Sequence, residues 1–142
     1  MNNRKKKILF IDDNEVMRIM FANIFWIHGL DDAYEVTTIG NMPEALALLA
    51  NEATRPDFII TGLVMPFEKD GRTTTSAEAG FTLLKRVKED PALAHIRVII
   101  FSSYDDEEYQ KRALALGAER YLKKKEDLPQ DVIQIIRSFE EE

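Results

Sequence analysis

The chain has 142 residues, a net charge of −6 and a pI near 5.0, with 45% hydrophobic and 31% charged residues. These values are typical of one globular domain and exclude the basic surface of a nucleic-acid-binding module. The absence of cysteine excludes disulfides and thiolate metal sites. The first apolar run is too short for a signal peptide or a membrane span, so we expect a single cytoplasmic domain over residues 1–142.

Short apolar runs alternate with helical patterns from the start of the chain. Residues 8–11 predict a first buried strand, which ends at Asp12 and Asp13. A helix is predicted over residues 15–28. Its apolar residues recur at helical spacing: Val16, Ile19, Met20, Ile24 and Ile27.

Two further strands are predicted before the middle of the chain. The alternating pattern over residues 34–39 predicts an edge strand, and a helix with Pro43 in its first turn follows it. Residues 58–60 form a continuous apolar run, which suits a central parallel strand covered on both faces. This run stops at Thr61 and Gly62.

The segment between Pro66 and Phe81 is polar and contains glycine, and it predicts a surface loop. The remaining predicted elements are, in order, a helix over 81–89, a strand over 98–101, a helix over 105–116, a strand over 120–123 and a helix over 129–139. This alternation predicts a doubly wound parallel sheet with helices on both of its faces.

Polar groups follow four of the five predicted strands. They are Asp12-Asp13 after the first strand, Thr61-Gly62 after the third, Ser102-Ser103 after the fourth and Lys123-Lys124-Lys125 after the fifth. Such strand ends meet at one edge of the sheet, where ligands bind. Adjacent carboxylates favour a compensating cation, for which Mg²⁺ is suited by its preference for oxygen ligands. A hydroxyl and an ammonium at neighbouring strand ends can hold a phosphoryl-like anion.

These segments resemble the receiver domain of two-component response regulators over nearly the whole chain. The resemblance depends on the joint order and spacing of four pieces: residues 11–14, 56–66, 98–103 and 117–124. It implies a flavodoxin-like α/β fold, a five-stranded parallel sheet of order 2-1-3-4-5. It implies roles for the following residues: Asp12, Asp13 and the Val64 carbonyl as Mg²⁺ ligands, Ser102 and Lys124 as phosphoryl contacts, and Tyr121 as a switch aromatic.

Gly62 falls where this family carries its phospho-accepting aspartate, and glycine cannot form an acyl phosphate. We therefore expect a phosphorelay receiver domain that is not phosphorylated at the usual position, whether Gly62 is engineered or natural. The loss of one carboxylate is expected to weaken Mg²⁺ binding. The family usually follows its lysine with proline, where this chain has Lys125. Asp57 precedes the strand and is expected at its opposite end.

The expected function is signalling through docking to a partner, without catalysis. The resemblance implies a histidine kinase or a phosphotransfer protein as the partner, which docks at the first helix. It also implies a possible homodimer through the face formed by the fourth and fifth helices. Neither nucleic acid nor a membrane is expected as a partner, and no output domain is expected within residues 1–142.

Three alternatives remain open at this stage. The first is a natural pseudo-receiver that acts as an interaction module without phosphorylation. The second is an aspartate-nucleophile phosphohydrolase, which needs a carboxylate two residues after its nucleophile, where Asn14 follows Asp12. The third is a flavodoxin-like cofactor carrier, which needs a phosphate-binding loop rich in Gly, Ser and Thr after the first strand.

Overall fold

The computed structural model describes residues 5–140, except for the side chains of residues 67–69. The strands are β1 (Lys6–Ile11), β2 (Tyr34–Ile39), β3 (Phe58–Thr61), β4 (Met65–Lys69), β5 (Arg72–Ser76), β6 (Arg97–Ser102) and β7 (Arg120–Lys123). The α-helices are α1 (Glu15–Ile27), α2 (Met42–Ala50), α3 (Glu78–Glu89), α4 (Glu107–Ala115) and α5 (Pro129–Glu140), and a 3₁₀-helix covers Glu52–Thr54. Within residues 5–140, no helix combines the length and apolar character needed to cross a membrane.

Five of the strands form one parallel sheet in the order β2-β1-β3-β6-β7. Counted within this sheet alone, the order is 2-1-3-4-5, so the predicted flavodoxin-like fold is confirmed. β2 lies at the edge, as its alternating pattern predicted. Ile11 pairs with both Ile39 and Thr61, and Ser102 pairs with Lys123, so the carboxyl ends of the strands lie side by side.

The core has two layers because alternate strand residues point to opposite faces of the sheet. On one face, strand side chains pack beneath α2, α3 and α4: Leu9, Ile11, Ile59, Val98 and Ile100. On the other face, strand side chains pack beneath α1 and α5: Ile8, Phe10, Phe58, Ile60, Ile99 and Phe101. Burial on both faces explains why these strands are continuous apolar runs.

The buried face of α1 is aromatic. Phe21 and Phe25 are buried, and the ring of Phe21 stacks on that of Phe10 with 4.1 Å between centroids. Most of the residues that defined the predicted helical pattern are instead exposed: Val16, Ile19, Met20 and Ile27. The apolar pattern therefore predicts the helix correctly, but most of its residues lie on the exposed face of the helix and not on the buried one.

The prediction of a surface loop after β3 is wrong, because a β-hairpin occupies most of this segment. β4 and β5 pair antiparallel around a turn at Asp70 and Gly71, whose φ angles are 54° and 75°. Positive φ at both central residues defines the type I′ turn that Asp-Gly favours in two-residue hairpins. α3 then begins at Glu78, three residues before the predicted start at Phe81.

Candidate functional site

Four strand ends converge on one cleft at the carboxyl edge of the sheet. The predicted site residues that line it are Asp12, Asp13, Gly62, Val64, Ser102 and Lys124. Tyr121 stands behind the cleft and does not line it. Asp57 lies at the opposite end of β3, as predicted, where its Oδ2 accepts a hydrogen bond from the Lys7 backbone N–H at 2.8 Å.

Asp12 is the buried acid of the cleft, with 2% of its surface exposed. It follows β1 directly, and Asn14 behind it caps α1 by accepting a hydrogen bond from the Met17 N–H. The Asp12 Oδ1 accepts from the Asn14 N–H at 2.9 Å, and its Oδ2 accepts from the Lys124 ammonium at 2.6 Å. Asp13, by contrast, points to solvent. The two adjacent acids thus have different surroundings.

The lysine that reaches the cleft is Lys124, which follows β7. Its backbone N–H donates to the Ser102 carbonyl at 2.8 Å, which fixes its position beside β6. The preceding Lys123 forms an ion pair with Asp105 at 2.7 Å. The hydrogen bond in this pair raises the pKa of Lys123 and lowers the pKa of Asp105. The two lysines therefore serve different acids.

Ser102 and Tyr121 are joined through the backbone of Tyr104. The buried Ser102 Oγ accepts from the Tyr104 N–H at 3.0 Å, and the Tyr121 hydroxyl donates to the Tyr104 carbonyl at 2.8 Å. Burial raises the pKa of the Tyr121 hydroxyl, and the neighbouring Ser102 hydroxyl acts in the opposite direction. The Ser102 hydroxyl in the cleft and the Tyr121 hydroxyl are thus bonded to the backbone of the same residue, Tyr104.

Gly62 lies in the cleft between the acid and the hydroxyl. Its N–H donates to the Ile11 carbonyl at 3.1 Å, which continues the pairing of β1 with β3. A Cβ added to Gly62 would lie 3.8 Å from the Met65 Cε and 3.8 Å from the Phe101 carbonyl oxygen, which are ordinary contacts. Neither its backbone conformation nor its surroundings require glycine at this position.

The cleft and its surroundings include residues that the sequence did not predict as site residues, among them Tyr104, which lines the cleft. Arg18 reaches across from α1, and its Nη1 donates to the Asp12 carbonyl at 2.8 Å. Its place one helical turn after the Asn14 cap could have indicated that it faces the strand ends. Met65 lines the cleft at the start of the hairpin, and its apolar character gave no signal of this.

The cleft offers the Mg²⁺ that the resemblance implies fewer free donors than the predicted ligand set contains. Among the side chains that the structure describes, no group of three or more acidic, histidine or cysteine residues is arranged to hold a metal ion. Asp12 and Asp13 are the two carboxylates of the cleft, and the Lys124 ammonium already binds one of them. The backbone of Val64 also lines the cleft and is its remaining predicted donor.

Comparisons with known proteins agree with this geometry. Residues 8–137 match the family model described as the response regulator receiver domain. Response regulator PleD of Caulobacter vibrioides is 30% identical over 119 residues, which make up 83% of this chain and 22% of PleD. The two-component response regulator ORR6 of Oryza sativa subsp. japonica is 36% identical over 118 residues, 82% of this chain and 61% of ORR6. The chain thus spans less than two thirds of either relative.

The fold has close counterparts among solved structures. The phosphorylated cyanobacterial phytochrome response regulator RcpA superposes with a TM-score of 0.73 at 26% identity, covering 97% of this chain and 93% of RcpA. The matched segment contains every strand of the parallel sheet except the first residues of β1. This chain belongs to the family of response regulator receiver domains.

Proposed function

We propose that this chain is a cytoplasmic receiver domain that signals by docking to a partner and is not phosphorylated at Gly62. The observation that carries the proposal is the absence of a side chain at Gly62, in a cleft whose other polar groups are in place. A receiver aspartate acts as a nucleophile, while Mg²⁺ and the lysine offset charge on the transferring group. Glycine has no atom that can take the nucleophile's role.

The neighbouring acids do not replace the missing nucleophile. Both oxygens of Asp12 accept hydrogen bonds, from the Asn14 N–H and from the Lys124 ammonium. Asp13 is solvated outside the buried part of the cleft. The Asn14 side chain caps α1 and carries no carboxylate, which also disfavours a phosphohydrolase. The proposal is therefore a binding module, in which loss of one carboxylate weakens Mg²⁺ binding.

Receiver domains interact with histidine kinases and phosphotransfer proteins in two-component systems. The outer face of α1 supports such a contact, because five large apolar side chains on it are 45–72% exposed: Val16, Ile19, Met20, Trp26 and Ile27. Several large apolar side chains exposed on one helix are typical of a protein interaction site. α1 also begins directly after the two acids of the cleft. We call these five residues the α1 face and propose that the partner binds there.

A docking experiment tests this proposal with Trp26, the only tryptophan of the chain. Trp26→Ser is expected to weaken binding of a partner phosphotransfer domain by roughly 10- to 100-fold, because buried aromatic anchors dominate interface energetics. In the wild-type protein, docking should shift the Trp26 fluorescence to shorter wavelength as the exposed indole becomes buried. Isothermal titration calorimetry against a panel of phosphotransfer domains from the same genome measures both proteins.

Leu114→Ser is the matched control, because Leu114 on α4 is 45% exposed and lies outside the α1 face. Equal loss of binding in Leu114→Ser and Trp26→Ser would contradict docking at α1. The same variant tests the homodimer proposed through α4 and α5. Leu114 is the large apolar residue that α4 exposes, so Leu114→Ser is expected to lower any dimer fraction in sedimentation velocity.

A further inference from the structure

The ion pair between Lys124 and Asp12 has a consequence for the metal dependence of the protein. A buried carboxylate is costly unless it is paired and hydrogen-bonded. Asp12 meets both conditions with groups of the chain itself: its contacts with the Lys124 ammonium and the Asn14 N–H measure 2.6 and 2.9 Å. Charge-assisted hydrogen bonds of this length are among the stronger polar contacts in proteins. Asp12 therefore has no unmet need for an external cation.

The ammonium is held in place by the sheet. The Lys124 backbone is bonded to the Ser102 carbonyl, and its Nζ lies 5.9 Å from the centroid of the Phe101 ring. Lys123, the adjacent cation, is paired with Asp105 and does not compete for the same acid. The Lys124 side chain is mostly covered, with 20% of its surface exposed. A mobile surface lysine would not be arranged in this way.

The formal charge of the cleft determines how well a divalent cation would bind there. Among the side chains that line the cleft, the carboxylates of Asp12 and Asp13 and the ammonium of Lys124 sum to a formal charge of −1; Arg18 binds the Asp12 carbonyl from outside this lining and is not counted. A divalent cation would turn this into an excess of positive charge and would lie against the ammonium. The divalent cation and the ammonium, both positive and in contact, would repel each other strongly where water is partly excluded. Removing the ammonium would leave −2, which matches a divalent ion.

We infer that the Lys124 ammonium is the resident cation of this cleft and takes the place of the divalent ion that receiver domains generally bind. The folded state is then independent of Mg²⁺, because its buried acid is neutralised internally. This inference goes beyond docking at the α1 face and does not depend on it. It does depend on Gly62, since a carboxylate at this position would be a further acid able to bind the Lys124 ammonium.

Lys124→Met tests the inference, with Lys125→Met as the matched control. Both substitutions remove one positive charge, and Lys125 is an exposed neighbour outside the cleft. Thermal unfolding is measured in EDTA and in millimolar MgCl₂, and Mg²⁺ affinity is measured by calorimetry. Lys124→Met is expected to unfold at lower temperature in EDTA, to recover in MgCl₂, and to bind Mg²⁺ at least roughly tenfold more tightly than the wild type. The wild-type protein and Lys125→Met should show no stabilisation by MgCl₂.

Two results would overturn the inference: wild-type protein that binds Mg²⁺ as tightly as Lys124→Met, or a Lys124→Met protein whose response to MgCl₂ equals that of Lys125→Met. A Lys124→Met protein that folds only in MgCl₂ would support it. If that variant folds in neither buffer, the wild-type protein decides the matter by NMR of its lysine ammonium groups. The Lys124 ammonium signal should be protected from exchange and unchanged by MgCl₂, and its loss on adding MgCl₂ would overturn the inference. Docking to the α1 face is measured in EDTA, so the two proposals can fail separately.

Discussion

Gly62→Asp will turn the protein from one that acetyl phosphate does not label into one that it labels in the presence of Mg²⁺. The new side chain has room, because a Cβ at this position makes only contacts of 3.8 Å. Its carboxylate would enter the cleft that Ser102 and Lys124 line, and would supply both the missing nucleophile and a third acid for Mg²⁺. Intact-protein mass spectrometry measures the added phosphoryl group, and hydroxylamine identifies it as an acyl phosphate.

Gly62→Asn is the control for this experiment, since asparagine has the same shape without the nucleophilic carboxylate. It should remain unlabelled under the same conditions. Labelling of the wild-type protein or of Gly62→Asn would contradict the proposed function, because phosphorylation would then occur elsewhere. A folded but unlabelled Gly62→Asp protein would show that the remaining groups no longer support phosphoryl transfer.

Gly80→Ala is expected to lower the free energy of unfolding by about 1–3 kcal/mol, which is the usual cost of forcing an extra methyl group into a tight contact. A Cβ on Gly80 would lie 2.7 Å from the Leu63 Cα and 2.8 Å from the Gly62 carbonyl oxygen. Both are backbone atoms, so neither can move away cheaply. The close contact of α3 is thus made with Gly62 and Leu63, which both line the cleft. Urea denaturation followed by circular dichroism measures the loss.

Gly62→Ala provides the comparison for this prediction. It introduces the same methyl group at Gly62, where the atoms nearest to the new Cβ are 3.8 Å away. A change within about 0.5 kcal/mol is expected, as for substitutions that create no clash. Equal destabilisation by both substitutions would show that the α3 contact is not specially tight.

The central strands and the position of the site could be predicted from the sequence because each depends on local pattern. A strand buried on both faces is a continuous apolar run, and the residue after it must lie at the carboxyl edge. Contacts of long side chains with residues on other elements could not be predicted in this way. The pairing of Lys124 with Asp12 joins residues 112 positions apart, and Arg18 reaches the strand end from α1.

Two structural features differ from what the sequence pattern predicts. The pattern does not indicate the hairpin, because β5 is built mostly of exposed threonines, which show no apolar alternation. The Asp70-Gly71 pair was the available signal for it. On α1, the aliphatic residues at helical spacing resemble a core stripe, whereas the core uses Phe21 and Phe25. A stripe of apolar residues alone does not distinguish a helix face that packs into the core from one that stays exposed.

Tyr104 connects two buried hydroxyls with the surface of the protein. Its N–H and C=O bind two buried hydroxyls, while its own ring is exposed and packs edge-on against Tyr109 of α4 at 6.4 Å. A partner that contacts the exposed Tyr104 ring would therefore touch the same residue whose backbone holds the Ser102 and Tyr121 hydroxyls, so the surface and the cleft meet in one residue.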